Sequence, residues 1–252
     1  MPRDKFKAQL AEVHTLLNLA DSIDFRDPAL TYLAGPRPKS APLLAGAVVL
    51  LCARFEEFIK DVVAYALERH NFANPPVVLW DLPEEVQVRL ISRNMSAALE
   101  VNRHGRIREY AVRISDGVAA AQALTAGRIE AQFAITTSGN PGPETIKDLM
   151  RLAGVESPWK CISRHFESTY VMPVIPGLSN PVIGGIEERL RQILRLRNMI
   201  AHSGATIPSS SAEIRFNVDF LSQLSDSVYA VLKETIERIA HSKGRQPAPW
   251  NT

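Results

Sequence analysis

The chain has 252 residues, enough for one large domain or two small ones. At 46% hydrophobic and 22% charged it has the composition of an ordinary globular protein. A net charge of +2 and a pI of about 8.6 give no strongly basic balance, so charge alone does not point to nucleic acid. Among the basic residues, 21 of 29 are arginine, the side chain suited to bidentate phosphate contact. Two cysteines, Cys52 and Cys161, stand far apart, which excludes a disulfide framework and fits a reducing cytosol.

Helical periodicity recurs along the chain and strand signals are scarce. The N-terminus is charged, with no apolar region of a signal peptide. The first predicted helix covers about Asp4 to Asp24, with Phe6, Leu10, Val13, Leu16 and Leu17 on one side. The Pro/Gly-rich "LAGPRPKSAP" follows. A long helix then runs from about Leu43 to His70 and ends before "NPP". Its apolar run "APLLAGAVVLLCA" stops at Arg54, too short to span a bilayer.

The segment Pro83 to Val101 opens with proline and two glutamates, a helix start. Further helices are predicted over about Arg106 to Leu124 and after Pro143. Asn180 to Gly185 is rich in helix breakers. The next helix starts near Ile186 and runs out at Gly204. The last covers about Ala212 to His241, and residues 245–252 are expected to form a loose tail. The expected fold is an all-α bundle in a single domain over 1–244. Its core helices are about 4–24, 43–70, 186–203 and 212–241, with a helical insertion over about 77–180.

The stretch "RLRNMIAHSG" on the third core helix carries the chemistry. On a 100° wheel from Ile186, the residues Leu190, Ile193, Ile200 and Ala201 fall within about 60°. Arg197 falls inside that apolar arc, at about 20°, whereas Glu188, Arg191 and Arg195 lie well away. An arginine drawn into a core costs free energy unless it meets a carboxylate, carbonyls or a bound anion. His202 falls about 140° from Arg197 on a regular helix. Helix termination at "HSG", with Gly204 as the left-handed residue, is expected to swing His202 back toward Arg197 or toward a second copy of the chain. The helix C-terminus favours the charged imidazolium.

Histidine and arginine together suit RNA cleavage. The histidine transfers protons at the 2′-hydroxyl and the leaving 5′-oxygen, and the arginine holds the pentavalent phosphate. An Arg-x4-His arises by chance about half a time in a chain with six histidines and 21 arginines. The competing reading is a capping histidine and a snorkelling arginine.

The motif "RLRNMIAH" resembles the Arg-x4-6-His motif of HEPN-superfamily ribonucleases, with a polar residue, Asn198, after the arginine. The second helix, "VLLCARFEEFIKDVVAYAL", resembles the early family helix with its Phe-Glu pair, and "GNPGPETIKDLMRLAGV" resembles a segment of the RiboL-PSP-like branch. The resemblance covers most of the chain. It implies a helical homodimer whose two motifs line one cleft, acting as a metal-independent endoribonuclease without a cofactor. It also implies a role as toxin or effector in toxin–antitoxin or antiphage defence, with an antitoxin or defence-system protein as a further partner. Carried over by position, Arg197 binds the scissile phosphate, His202 is the acid/base and Asn198 orients one or the other. A family tyrosine two positions after the histidine is here Gly204, which puts regulation by modification at that position in doubt.

Glu56 lies on the flank of the second helix's apolar arc and is a supporting candidate to pair with Arg197; its alternative is a boundary carboxylate facing solvent. Arg195, which also makes an Arg-x6-His with His202, points toward solvent or RNA backbone. The cluster "NRHGRIREYAVR" offers Arg103, Arg106 and Tyr110 for phosphate contact and base stacking, or a solvated helix face. Arg93-Asn94-Met95 repeats "RNM" without the histidine and is expected to be an ordinary helix face. The other histidines show no ligand spacing, so no metal site is assigned. There is no P-loop, Gly-rich dinucleotide turn or nucleophile elbow. The expected location is cytoplasmic, with RNA as partner and no membrane. Two alternatives remain open: a non-catalytic HEPN-like module binding RNA, nucleotide or protein, and a helical scaffold with no nucleic-acid role.

Overall fold

Three phenylalanines from two helices set the centre of the molecule. Phe6, on α1 (Pro2–Arg26), packs with Phe55 and Phe58 on α2 (Ala41–Asn71) at centroid distances of 6.0 and 5.1 Å. The computed structural model describes residues 1–26, 40–99, 107–131, 134–135, 141–170, 185–203 and 210–250. Its described residues form eight α-helices and no named strand. The remaining helices are α3 (Glu84–Leu99), α4 (Ile107–Thr125), α5 (Pro143–Leu152), α6 (Pro158–Thr169), α7 (Gly185–Ser203) and α8 (Ser211–Ser242).

Helix α2 is the axis of the bundle. Its buried residues run from Leu44 to His70 and face α1, α7 and α8. Helix α8 buries an apolar stripe from Ile214 to Ala240 against α1, α2 and α6. It starts at Ser210, whose Oγ accepts from the Glu213 amide at 3.2 Å, a side-chain cap on an otherwise unpaired donor. These four helices, α1, α2, α7 and α8, form the expected bundle, and α3 to α6 form the helical insertion between its second and third members.

Within the insertion, α3 packs on α4, α6 lies on α8, and α5 touches α2, α3, α6 and α7. Gly154 makes the turn from α5 into α6 at φ +85°, a conformation favouring glycine. The Val155 amide returns to the Met150 carbonyl at 3.1 Å. The turn lies against α8: a Cβ on Gly154 would meet Ile239 Cδ1 at 3.0 Å.

Three differences from the sequence expectation have physical causes. Helix α6 was not expected, although Trp159, Ile162 and Phe166 form its buried stripe. The helix face at Arg93-Asn94 carries a buried anchor that the sequence did not suggest: Asn94 donates to the carbonyls of Leu90 (2.9 Å) and Glu130 (3.0 Å), and Arg93 donates to Ala134 (3.3 Å). The segment after Gly244 is not loose as far as Trp250. Asn74 and Gln246 exchange backbone hydrogen bonds at 2.9 Å, and Trp250 is 3% exposed between the rings of Tyr65 and Tyr229. Burial of one large aromatic holds a segment that has no helical pattern.

Candidate functional site

Helix α7 begins at Gly185 and carries Glu187 and Glu188 in its first turn, where carboxylates oppose the positive end of the helix dipole. Ile186, Leu190, Ile193 and Leu194 are buried, which seats the first three turns on the core. Arg189 fixes the helix against α8: Nη2 donates to the buried Asn217 Oδ1 at 2.5 Å, and the guanidinium lies 5.2 Å from the Phe216 ring centroid. Burial pushes the Arg189 pKa down. Sequence reasoning missed this residue, although on the wheel from Ile186 it falls at about −60°, the edge of the apolar arc, and was a signal of its own.

The helix rises out of the core over its second half. Leu196 and Ile200 are half-buried, and Met199, Ala201 and His202 are exposed. Ala201, expected in the apolar arc, is therefore on the surface. Arg197, expected inside the apolar arc, is half-buried, and its positive charge reaches the buried Cys52 thiol on α2. Burial drives the Cys52 pKa up to about 12, and Arg197 pulls it the other way. Arg197 Nη1 donates to Asn198 Oδ1 at 3.2 Å.

His202 does not swing back through helix termination. The helix continues through Ser203, so His202 stays in the last turn, exposed, about 140° around the axis from Arg197. Gly204 lies outside the described residues, and so do Arg103 and Arg106; Tyr110 falls on α4. Glu56 is half-buried and forms an ion pair with Lys60 of its own helix at 2.8 Å. Arg195 is exposed and pairs with Glu188 at 3.1 Å. The structure thus brings Arg197 and Asn198 together beside α2 and places His202 on another side of the helix.

Among the described residues, no group of three or more His, Cys, Asp or Glu side chains is placed to hold a metal ion. No helix among them is long and apolar enough to cross a membrane. Neither curated proteins nor solved structures gave a match to the chain. A family model, RiboL-PSP-HEPN, matches residues 12–234, a span that takes in α2 to α7 whole and the greater part of α1 and α8. The all-helical bundle agrees with it, and the chain belongs to the RiboL-PSP-HEPN family, whose HEPN domains are commonly nucleases or RNA-binding modules.

Proposed function

We propose that the chain is a metal-independent endoribonuclease that cuts RNA with Arg197 and His202. The observation that carries this reading is the place of Arg197. A half-buried guanidinium beside an apolar helix, with a side-chain amide oxygen as its hydrogen-bond partner, keeps donors for a phosphate. Asn198 aims the guanidinium, and the exposed imidazole of His202 supplies proton transfer. In this reaction the 2′-oxygen attacks phosphorus as its proton leaves. The 5′-oxygen departs with a proton, leaving a 2′,3′-cyclic phosphate and a free 5′-hydroxyl. Glu56, on the helix behind Arg197, serves as a supporting carboxylate in this scheme.

One copy turns Arg197 and His202 to different sides of α7, so the reading needs a second copy. A two-fold pair of α7 helices assembles the arginine of one chain with the histidine of the other and brings two histidines to one cleft. Such a homodimer would act in the cytoplasm as a toxin or effector, held in check by an antitoxin or defence-system protein. The divergence of His202 from Arg197 also supports a second reading, a non-catalytic HEPN-like module that binds RNA, nucleotide or protein.

Incubation with labelled tRNA and mixed cellular RNA in EDTA, beside the His202→Ala variant, separates the two. Chelator-resistant cleavage with cyclic phosphate ends, lost in the variant, is the expected result. Binding without cleavage by folded protein would favour the second reading.

A further inference from the structure

Helix α6 and the C-terminal half of α8 enclose a cleft of about 570 Å³, the size of a small-ligand site. Lys160 and Arg164, one turn apart on α6, face it together with Arg238 of α8. Glu156, before α6, and Glu234, on α8, also line it. None of these five charged side chains forms an ion pair among the described residues. Elsewhere some surface charges pair, as Lys5 does with Glu57 and Asp61 and Arg191 with Glu187 and Glu188, while others such as Glu84 and Asp219 form no ion pair among the described residues; what sets the cleft apart is five charges gathered on one concave surface. Each wall of this cleft, the α6 side and the α8 side, carries both signs of charge, and no two of them pair. The Gly154 turn and the buried stripe of α6 hold the α6 wall against α8.

We propose that this cleft is a ribonucleotide site. Lys160, Arg164 and Arg238 take the phosphate, because two guanidinium forks and an ammonium match its oxygens. Glu156 and Glu234 accept hydrogen bonds from ribose hydroxyls or base amino groups, which a bare anion lacks. The cleft shares no residue with the motif helix. Val231, where it begins on α8, is fourteen residues beyond Asn217, the point that Arg189 of α7 touches, or about 21 Å along the helix. The nucleotide comes either free or as one unit of an RNA strand; the strand source alone rests on the nuclease reading.

Cys161 lines the same cleft and is half-buried, whereas Cys52 is fully buried, so thiol labelling reads cleft occupancy. The full chain carrying His202→Ala, which removes cleavage from the readout, is labelled with and without a mixture of the four ribonucleoside 5′-monophosphates, a short RNA and inorganic phosphate. The expected result is at least tenfold slower Cys161 labelling with nucleotides or RNA, and about tenfold weaker protection in Arg164→Ala and in Arg238→Ala at unchanged circular dichroism. Protection by the monophosphates identifies a free nucleotide as ligand, and protection by RNA alone identifies a strand subsite. No protection by either, protection that survives both arginine variants, or equal protection by inorganic phosphate would overturn the assignment. Since cleavage is measured separately on the wild-type chain, failure of the cleft leaves the nuclease reading standing, and the reverse holds too.

Discussion

Arg197 and Asn198, neighbours in sequence, are hydrogen-bonded through their side chains at 3.2 Å. Consecutive helical side chains point about 100° apart, so the bond requires the guanidinium to reach sideways along the surface of α7. That turns a flexible arginine into a fork of set direction. Under the nuclease reading, Arg197→Ala lowers the cleavage rate by roughly 10²–10³, the cost of losing one charge-stabilising group. Arg197→Lys restores only part of it, because an ammonium cannot present the fork. Since the side chain is half-buried rather than enclosed, stability changes by less than about 1 kcal/mol. Rates from single-turnover cleavage, set beside urea midpoints, check both; a variant that loses stability and activity in step would make Arg197 structural.

A site assembled from two chains has a distinct signature. Arg197→Ala and His202→Ala are each expected to be inactive alone. Mixed and allowed to exchange, they form heterodimers in which one of the two sites is intact and the other lacks both groups. Activity then recovers to about a quarter of the wild-type value. A mixture as inactive as its parts would show that each site draws both residues from one chain, which the outward direction of His202 opposes.

His70 ends α2 with its imidazole 1% exposed, and burial presses its pKa down to about 4. Neither ring nitrogen has a hydrogen-bond partner among the described residues. An unfolded histidine takes up its proton near pH 6.5, so between about 6.5 and 4 the unfolded chain binds more protons than the folded one. Folding stability is full above 6.5 and falls as the pH drops toward 4, by about 1.4 kcal/mol per unit at most. Urea unfolding at pH 7.0 and 5.0 measures the loss, and His70→Phe should flatten it. An equal slope in that variant would assign the acid sensitivity to carboxylates.

How far the sequence could be read depended on length and on where partners lie. The helices α1, α2, α7 and α8 were legible because each repeats its apolar residues over several turns. The same wheel puts Arg197 inside the apolar arc, where the side chain is half-buried. It also puts His202 about 140° from Arg197, and what failed was the expected swing at the helix end, because α7 stays helical through His202 to Ser203. Helix α6 was overlooked at twelve residues, although Pro158 in its first turn and the spacing of Trp159, Ile162 and Phe166 were signals. The role of Asn94 was not legible, since its partner carbonyl on Glu130 is 36 residues away.

The same distance in sequence hid the docking of the C-terminal segment, which gives the last prediction. Trp250 stacks edge-on with Tyr65 at 5.6 Å and Tyr229 at 5.3 Å, and the Tyr65 hydroxyl donates to the Trp250 carbonyl at 2.9 Å. One indole therefore closes a gap between α2 and α8, the two longest helices of the bundle. Replacing a buried tryptophan by alanine costs about 3–5 kcal/mol, here toward the lower end because the segment can lift away and relax the cavity. For a domain of this size that lowers the melting temperature by roughly 6–12 °C. Trp250→Phe, which keeps a ring between the two tyrosines, should lose less than half as much. Calorimetry on the full chain decides it. A change below about 1 °C in Trp250→Ala would mean that the segment rests on the bundle without stabilising it.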